Sequence, residues 1–585
     1  MTTAQRWYLR RRMPAEVPLG PDVDPVLARV LYARHIDTSA QAAAFLGDES
    51  LDANPFDLAG MNEAVERLSR ALAAGERIVV YGDFDTDGVT ATVLLVSVLR
   101  QLGAQVEYYV PDRFSEAYGL NNEALRYLRE ERHADLVVTV DCGIRSSREV
   151  AYAHSLGLDV IVTDHHSVPA MLPPALAVID PKREDCPYPF KSLAGVGVAY
   201  RLADALFRAG VGTGGAGALE NYLDLVALGT VADVVPLVEE NRRLVRRGLA
   251  RMAHTERPGL RALMAVAGIG AAANDSPANG RNGARSSLLD SQAIGFRLAP
   301  RLNAAGRLQH ARLAYELLMC DDAGEATALA AQLDAINGER QELLERQLAR
   351  AREALAAADG HALLMVDETE FHEGIVGLIA SRLTDEFYRP ALVMRRGSET
   401  TRGSARSIEG FHITRALEVC ADLLLRYGGH ERAAGFTLAT ANLPALRERL
   451  DAYCAEHLSE EVLRRRFQVD AIIELGLLSV ETPAALARLE PFGEGNPEPA
   501  LASVGLRLTE LRPVGQEGRH LRLGLSDGRQ TVSGIAFRLG HLAAEFARGD
   551  RVDVVYRPTI NEWQGERSLQ LQVAAIRPAV DGARP

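Results

Sequence analysis

Cysteine and tryptophan are scarce in this sequence. The 585 residues include five cysteines and two tryptophans. The cysteines are dispersed along the chain, at positions 142, 186, 320, 420 and 454, and none belongs to a CxxC pair. A scattered and odd-numbered set of cysteines argues against a disulfide framework and against a structural zinc site.

Long apolar runs are also lacking. No run approaches the roughly 18 residues that a transmembrane helix needs. The first residues, MTTAQRWYLRRRMPAEVP, are basic but contain no apolar segment of the kind found in secretory signals. We therefore expect a cytoplasmic protein without a membrane span.

An excess of positive charge is the third absence. The chain has 65 Lys and Arg against 78 Asp and Glu, a net charge of −13. Proteins that bind nucleic acids usually carry a basic surface. An acidic metal site, however, adds negative charge to the total, and a local basic groove can still hold a polyanion. The net charge therefore does not exclude a nucleic-acid substrate.

The chain is too long for one hydrophobic core, and its patterning divides it into several parts. Residues 1–50 have the pattern of an N-terminal helical segment. Over 51–320, short β-rich runs such as RIVVYG, QVEYYV, DLVVTV, DVIVT and LAVID alternate with helix-like stretches. This alternation predicts an α/β domain with a doubly wound parallel sheet. The same domain is expected to contain a mainly helical region over about 194–264. A surface loop rich in Gly, Ala and Asn is expected over 268–287.

The second half of the chain predicts three further parts. Residues 321–358 are rich in strong helix formers and predict a long connecting helix. Residues 359–460 predict a second, smaller α/β domain, in which HALLMVD and PALVMRR are strands around the helix GIVGLIASRLTDEFY. Over 465–580, short alternating strands predict a small C-terminal β-barrel of the OB-fold type.

Acidic residues and histidines follow three of the predicted parallel strands. YGDFDTDG follows the strand RIVVYG and places aspartates at positions 83, 85 and 87. Asp141 follows DLVVTV, and Asp164, His165 and His166 follow DVIVT. Ligands of open parallel sheets bind outside the carboxyl ends of the strands, so this convergence predicts a metal site. Each aspartate taken alone could instead cap a helix or form a turn.

The chemistry of these groups narrows the choice of metal. Several carboxylates with one or two imidazoles and no thiolate suit Mn²⁺ or Mg²⁺ better than structural zinc. One ion would not neutralise so many carboxylates, so we expect two. Two ions roughly 3.5–4 Å apart can activate a water and bind a phosphoryl group between them.

Seven short motifs together resemble a known family. In chain order they are DFDTDG, VDCG, TDHH, ADVVPL, LAPRLNAAGRL, GSARS and GGHERAAG. The first four resemble the DHH phosphoesterase superfamily, and the last three resemble motifs of the RecJ single-stranded-DNA exonucleases. With the C-terminal barrel, the resemblance covers nearly the whole chain from about residue 50.

The resemblance implies a centre of two Mn²⁺ ions, with Mg²⁺ as the alternative. The implied ligands are Asp83, Asp85, Asp87, Asp141, His165 and Asp233. Asp141 is the expected bridge, and which of the first three aspartates contact metal is left open. His166 is a further catalytic candidate, as a ligand, a phosphate contact or an acid. Asp164 is expected to orient a histidine without contacting metal.

The resemblance and the residue chemistry also give candidate contacts to DNA and phosphate. These are Arg301, Asn303, Arg307, Ser404, Arg406, His430, Tyr556 and Trp563. Guanidinium groups match phosphate oxygens, and aromatic rings stack on bases. The alternatives are surface salt bridges for the arginines, a tight turn for GGHERAAG and a core position for Tyr556.

The family implies a 5′-to-3′ exonuclease that hydrolyses single-stranded DNA to 5′-mononucleotides in recombination and repair. It also implies a monomer that works with a single-strand binding protein and a RecQ-type helicase. Two alternatives remain. One is a phosphodiesterase of the same superfamily that acts on short oligonucleotides or cyclic dinucleotides. The other is a non-catalytic DNA-binding scaffold, against which the complete set of acidic motifs argues.

Overall fold

The computed structural model describes residues 6–12, 14, 19, 23–47, 51, 53–116, 119–211, 216–270, 288–356 and 362–579. The chain divides into two units. One comprises Leu51–Leu463 and Gly493–Asn496, and the other comprises Met1–Ser50, Arg464–Phe492 and Pro497–Pro585. From residue 271 onward, the surface loop predicted over 268–287 lies outside the described residues.

The amino-terminal segment contains a strand as well as the predicted helices. Its elements are β1 (Arg6–Leu9), α1 (Pro25–Ala33) and α2 (Ser39–Leu46). β1 pairs in parallel with residues 466–469 in the C-terminal part of the same unit. The partner strand is distant in sequence, so the local pattern that predicts helices here does not predict β1.

A parallel sheet forms the centre of the first α/β region. Its elements are α3 (Met61–Ala74), β2 (Arg77–Gly82), α4 (Thr86–Gln101), β3 (Gln105–Tyr109), α5 (Asn122–Glu130), β4 (Leu136–Val140), α6 (Ser147–Ser155), β5 (Asp159–Thr163) and β6 (Ala177–Ile179). The strand order is β3-β2-β4-β5-β6, and every neighbouring pair is parallel. The predicted doubly wound sheet is confirmed.

Helices cover both faces of this sheet. Val80 and Val138 point into a core shared with α3 and α4, whereas Val79 and Val137 point into a second core shared with α5 and α6. Side chains alternate between the faces of a strand, so a sheet covered on both faces has apolar residues at successive positions. The uninterrupted apolar runs of the sequence therefore follow from this layering.

Helices dominate the chain after the sheet. They are α7 (Gly195–Arg208), α8 (Leu223–Ala232), α9 (Glu239–Met252), α10 (Pro258–Val266), α11 (Ser291–Ala293), α12 (Ala299–Leu308) and α13 (Arg312–Met319). A single π-helical segment, Ile294–Leu298, precedes α12. All of the motif LAPRLNAAGRL except its first residue, Leu298, lies within α12.

A long helix, α14 (Ala323–Ala356), joins the two α/β regions. Its 34 residues correspond to about 51 Å at 1.5 Å per residue. Near its start, Ala326, Ala330 and Leu333 belong to the core of the first region. Near its end, Leu344 and Leu348 belong to a core of the second region. The helix therefore contributes to two cores, and the predicted connecting helix is present.

The second α/β region is smaller and has a mixed sheet. Its elements are β7 (Leu364–Glu368), α15 (Val376–Phe387), β8 (Ala391–Arg396), β9 (Thr400–Arg406), α16 (Ile413–Glu418), β10 (Leu424–Gly429), β11 (Ala433–Ala439) and α17 (Leu443–His457). The strand order is β10-β11-β9-β8-β7, in which only β7 and β8 are parallel. The predicted second α/β domain is confirmed.

The C-terminal region contains a closed barrel. Its elements are β12 (Arg466–Val469), β13 (Ala471–Ile472), α18 (Thr482–Ala487), β14 (Leu501–Val514), β15 (His520–Ser526), β16 (Thr531–Ala536), β17 (Arg551–Trp563) and β18 (Glu566–Pro578). The pairing β14-β15-β16-β18-β17 is closed by β14 and β17. This arrangement matches the predicted OB-type barrel. Among the described residues, no helix combines the length and hydrophobicity needed to cross a bilayer.

Candidate metal centre and phosphate pocket

The acidic motifs meet at one edge of the parallel sheet. β2, β4 and β5 are neighbours, and Asp83, Asp141 and His165 follow their respective carboxyl ends. Asp87 lies in the first turn of α4, and Asp233 directly follows α8. All of these side chains except that of Asp233 are buried. The topology thus brings together side chains that are up to 150 positions apart in the sequence.

His165 lies at the centre of this group. Its Nε2 atom is 3.0 Å from Oδ1 of Asp141, 3.4 Å from Oδ2 of Asp233 and 3.9 Å from Oδ2 of Asp87. Within the described part of the chain, this nitrogen makes no hydrogen bond of acceptable geometry, and the same is true of Oδ1 of Asp83. Buried polar atoms normally have a hydrogen-bond partner. Cations bound in the donor groups to which His165 and Asp83 belong would supply the missing interactions.

The donor atoms fall into three overlapping groups of metal-ligand spacing. They are Asp83, Asp85 and Asp141; Asp87, His165 and Asp233; and Asp141, His165 and His166. Within each group, the donor atoms lie within 4.8 Å of one another. Asp141 belongs to a group with the DFDTDG carboxylates and to a group with the histidines. This shared position is the one that a bridging carboxylate would occupy.

The electrostatics of the cluster favour a bound cation. Burial and then the neighbouring carboxylates raise the pKa of Asp87 to about 7 and raise the pKa of Asp83, Asp141 and Asp233 well above the usual aspartate value. Burial and the charge of His166 lower the pKa of His165 to about 3, so its imidazole is neutral. Neutral imidazole and carboxylate are metal-ligating forms, and the residues present therefore fit divalent ions.

Backbone groups hold two of the DFDTDG aspartates. The N–H groups of Gly195 and Val196, at the start of α7, donate to Oδ2 and Oδ1 of Asp87 at 2.6 and 2.9 Å. Asp85 caps α4 by accepting from the N–H groups of Asp87 and Gly88 at 2.9 and 3.1 Å. The helix-cap alternative is thus realised for Asp85, which also belongs to one of the donor groups.

Asp164 holds the neighbouring histidine and does not belong to a donor group. Its carboxylate accepts from the N–H of Ile144 at 2.9 Å, from the N–H groups of His165 and His166 at 2.7 and 3.1 Å, and lies 2.7 Å from Nδ1 of His166. Burial lowers the pKa of His166. The hydrogen bond to Asp164 and the charges of the nearby carboxylates raise this pKa by more, so that it lies at about 9. His166 is therefore protonated at neutral pH.

Two backbone positions beside the cluster have left-handed conformations. Asp141 has φ of 61° and Val234, which follows Asp233, has φ of 60°. This conformation is uncommon for residues other than glycine and is a genuine outlier for a β-branched residue such as Val234. Strained backbone of this kind concentrates at functional sites, where the surrounding packing maintains it.

A group of arginines lies beside the carboxylate cluster. Nη1 of Arg406 donates to Oγ of Ser404 at 2.9 Å, and Nη1 of Arg307 donates to the carbonyl of Gly374 at 3.1 Å. The guanidinium of Arg113 lies 4.5 Å from the centre of the Phe84 ring. Within the described ranges, none of these three arginines has a carboxylate oxygen within 4.0 Å, although the charges of Asp83 and Asp85 attract Arg113.

Desolvation and mutual repulsion lower the pKa of two of these arginines. Burial and the charges of Arg113, Arg340 and Arg406 lower the pKa of Arg307 to about 9. Burial and Arg113 likewise lower the pKa of Arg406. Desolvation and the charges of Arg406 and His166 also lower the pKa of His430. Nearby carboxylates offset part of this repulsion, since Asp85 attracts both Arg113 and Arg307. Half-buried cations that form no close ion pair are suited to a phosphate, whose charge offsets the rest.

Comparison with known proteins covers the whole chain. Three family models match: the DHH family N-terminal domain over residues 77–230, the DHHA1 domain over 360–456 and the RecJ OB domain over 469–575. The single-stranded-DNA-specific exonuclease RecJ of Escherichia coli is 38% identical over 602 residues, which cover 98% of this chain and 100% of that protein. The chain belongs to the RecJ family.

Other members of the RecJ family give the same result. The RecJ exonuclease of Bacillus subtilis is 37% identical, with 98% of this chain and 71% of the relative covered. Crystal structures of Thermus thermophilus RecJ in complex with Mn²⁺ and with Mg²⁺ superpose with TM-scores of 0.82 and 0.77, at 34% and 33% identity. Both cover 98% of this chain, and 80% and 79% of those chains. Carboxylate and imidazole groups of the present cluster could likewise hold a metal.

Arg113 is a candidate site residue that the sequence analysis did not identify. It follows β3, which neighbours β2, and therefore lies at the same sheet edge as the aspartates. The positional rule that identifies the aspartates would also have found it. Phe114, the next residue, contacts the ring of His372 in the second α/β region, with 5.7 Å between the ring centres.

Two predicted phosphate contacts are occupied by other interactions. Nε of Arg301 donates to Oδ1 of Asp334 on α14 at 2.8 Å, which is the salt-bridge alternative. Oδ1 of Asn303 accepts from the N–H and the hydroxyl of Thr86 at 2.8 and 2.9 Å. Asn303 therefore supports the loop that carries Asp85 and Asp87.

The placement of Tyr556 corrects a prediction. Its side chain is fully buried in the barrel of the second unit, and its hydroxyl is 2.9 Å from Oγ of Ser503. A ring in the barrel core cannot stack on a DNA base, so the core alternative is correct. The side chain of Trp563 lies outside the described residues.

Proposed function

We propose that this protein is a metal-dependent exonuclease that degrades single-stranded DNA from the 5′ end and releases 5′-mononucleotides. Membership of the RecJ family supports the substrate, because the relatives are named as single-stranded-DNA-specific exonucleases. The observation that carries the proposal is the buried cluster around His165, in which Asp141 joins two donor groups. Such a cluster suits phosphodiester hydrolysis with two metal ions.

The proposed ligands of two divalent ions, Mn²⁺ before Mg²⁺, are Asp83, Asp85, Asp87, Asp141, His165 and Asp233. Asp141 is the proposed bridge between the ions. When bound, the ions activate a water for in-line attack on phosphorus and stabilise the charge on the leaving oxygen. The neutral imidazole of His165 supplies a lone pair at Nε2. His166, whose Nδ1 is held by Asp164, presents a protonated ring that binds a phosphate oxygen through Nε2.

The arginine group is the proposed site for the 5′-terminal phosphate. Arg113, Arg307 and Arg406 would bind its oxygens, together with Ser404 and His430. A terminal phosphate carries more charge than an internal one and therefore offsets more of the arginine repulsion. A half-buried site beside the metal centre admits the end of a strand more readily than its middle. This arrangement supports release of one nucleotide at a time from the 5′ end.

We also propose the division of the chain into an N-terminal segment over 1–50, a DHH domain over 51–320, a connecting helix over 321–358, a DHHA1 domain over 359–460 and an OB domain over 465–580. Three family matches support this division. The DHH match falls inside the proposed DHH domain, the DHHA1 match inside the proposed DHHA1 domain and the RecJ OB match inside the proposed OB domain. The family role supports a monomer that acts in the cytoplasm in DNA repair and recombination, with a single-strand binding protein and a RecQ-type helicase as partners.

Labelled oligonucleotides test the proposal. A 5′-labelled and a 3′-labelled single strand and a blunt duplex are incubated with Mn²⁺ or with EDTA. We expect the 5′ label to leave at once as a mononucleotide, the 3′-labelled strand to shorten progressively and the duplex to remain intact, all only with Mn²⁺. Cleavage restricted to dinucleotides or cyclic dinucleotides would establish the small-substrate alternative, and binding without cleavage would establish the scaffold.

A pair of variants on one strand controls this experiment. Asp141→Asn changes the aspartate after the carboxyl end of β4, and Asp135→Asn changes the aspartate before its amino end, which is paired with Arg129 at 3.1 Å. We expect Asp141→Asn to lose cleavage and to retain binding of the strand. Asp135→Asn should cleave like the unmodified protein.

A further inference from the structure

Gly195, the first residue of α7, lies against Asp141. A Cβ atom at position 195 would be 2.6 Å from Cβ and 2.8 Å from Oδ1 of Asp141. The N–H of the same residue donates to Oδ2 of Asp87 at 2.6 Å. The backbone N–H of Gly195 therefore contacts one proposed ligand, Asp87, and a second, Asp141, fills the space that a side chain at position 195 would need.

Gly229, on α8, makes a similar approach to Asp87. A Cβ atom there would be 2.8 Å from Oδ1 of Asp87 and 2.3 Å from Oγ1 of Thr90. The carbonyl of Gly229 accepts from the N–H of Asp233 at 3.0 Å, so the same turn of the helix carries another proposed ligand. Two different helices thus present a residue without a side chain to the carboxylates of the cluster.

We propose that Gly195 and Gly229 are positioning residues that determine the distance between the carboxylates of Asp87 and Asp141. The proposal rests on the proposed function of this cluster as a metal centre. Cβ atoms essentially never approach another atom to less than 3.0 Å, so a larger residue at either position forces its neighbours to move. At both positions the neighbours include a proposed ligand carboxylate, and the side chains of Asp87 and Asp141 are buried.

Displaced carboxylates change metal binding in a recognisable way. Residues that orient metal ligands typically contribute about 10–100-fold to metal affinity. Mg²⁺ also requires near-ideal octahedral geometry at short distances. We therefore expect alanine at either glycine to weaken Mn²⁺ binding by at least about tenfold and to reduce Mg²⁺-supported cleavage more than Mn²⁺-supported cleavage. Loss of packing alone would reduce the two activities equally.

The test is titration of metal-free protein with Mn²⁺ by calorimetry, for Gly195→Ala, Gly229→Ala and a matched control. The control is Gly197→Ala on the same helix, where a Cβ atom would be 3.3 Å from Cδ2 of Leu193, a flexible side chain. We expect the first two variants to bind Mn²⁺ more weakly and the control to bind as tightly as the unmodified protein. Equal affinity in all four proteins, or an equal loss in the control, overturns the proposal.

Two measures keep this test decisive. If Gly229→Ala does not fold, Thr90→Ala combined with Gly229→Ala removes the approach to Oγ1 and leaves those to Oδ1 of Asp87 and Cγ1 of Val196, both at 2.8 Å, with Thr90→Ala alone as its reference. Unchanged Mn²⁺ affinity in the double variant overturns the proposal. If the unmodified protein itself binds no Mn²⁺, the proposed function fails. Tight binding by the unmodified protein and by both glycine variants rejects the positioning role alone.

Discussion

Nε2 of His165 and Oδ1 of Asp141 are 3.0 Å apart, although the two residues follow different strands of the parallel sheet. The histidine is neutral and the aspartate is buried among other carboxylates. Two ligands of one ion would have this arrangement of a neutral nitrogen beside a carboxylate, and we propose these roles for His165 and Asp141. Their relationship gives the first of four predictions.

Removal of the imidazole should abolish tight metal binding. We expect His165→Ala to weaken Mn²⁺ binding by more than the roughly 10–100-fold that removal of an outer partner causes. Calorimetric titration of the metal-free protein measures this change. His154→Ala, on the exposed side of α6, is the control and should bind Mn²⁺ normally. Unaltered affinity in His165→Ala would mean that the ion is held elsewhere.

Stability of the metal-free protein should fall as pH rises. The pKa of Asp87 is raised to about 7 and those of Asp83, Asp141 and Asp233 are also raised. In the unfolded chain an aspartate has a pKa of about 3.9, so these groups favour the folded state fully below about pH 4 and lose that contribution as pH rises toward 7 and above. Each proton released changes the free energy of unfolding by up to about 1.4 kcal/mol per pH unit.

Thermal denaturation with Mn²⁺ or EDTA measures this dependence. Because metal binding replaces the bound protons, the difference in Tm between the two conditions should widen from about pH 5 to about pH 8. In Asp87→Asn one of the titrating groups is gone, and the widening should be smaller. A difference in Tm that stays constant with pH would contradict the predicted proton release.

Asn303 should act through the metal loop and not through DNA phosphate. Its Oδ1 accepts two bonds from Thr86, which lies between two of the proposed ligands. We expect Asn303→Ala to reduce kcat by about tenfold, corresponding to about 1.4 kcal/mol, with the salt dependence of DNA binding unchanged. A phosphate contact would instead reduce the slope of log affinity against log salt by about one. Asn303→Asp, which keeps the acceptor, should recover part of the activity.

The arginine group should distinguish phosphorylated from unphosphorylated 5′ ends. Hydrogen bonds to charged groups contribute roughly 1.5–3 kcal/mol, so Arg406→Ala should raise KM for a 5′-phosphorylated strand by about 10–150-fold. A 5′-hydroxyl strand should be affected much less. Arg402→Ala is the control, because Arg402 lies on the same strand and pairs with Glu373 at 3.0 Å on the surface. Equal effects on both strands would place the terminal phosphate elsewhere.

The spacing of apolar residues in the sequence was sufficient to predict the main helices and strands of the fold. The apolar runs predicted the parallel strands and the second α/β region because burial on both faces demands such runs. The same approach missed β1, whose partner is far away in the sequence. It also placed Tyr556 on the DNA-binding surface, since an alternating strand does not reveal which of its faces is the core until the barrel closes.

The sequence likewise predicted some residues of the candidate site and missed the roles of others. Asp83, Asp141 and His165 were predictable because each directly follows a strand, and the carboxyl ends of parallel strands share an edge. The roles of Asn303 and Arg301 were not predictable from the sequence. Asn303 bonds to Thr86 and Arg301 bonds to Asp334, and both partners lie on other helices. Only packing decides which of several possible partners a polar side chain meets.

The sequence by itself determined the types of chemistry that this protein can support: carboxylates and histidines at strand ends, and arginines in later motifs. The tertiary structure alone decided the distances between them. The approach of Gly195 to Asp141, the bonds from α7 to Asp87 and the burial of Arg307 all arise from helices that meet across the sheet edge. Local residue patterns specify elements, but long-range packing sets the ångström-scale geometry on which metal binding and phosphate binding depend.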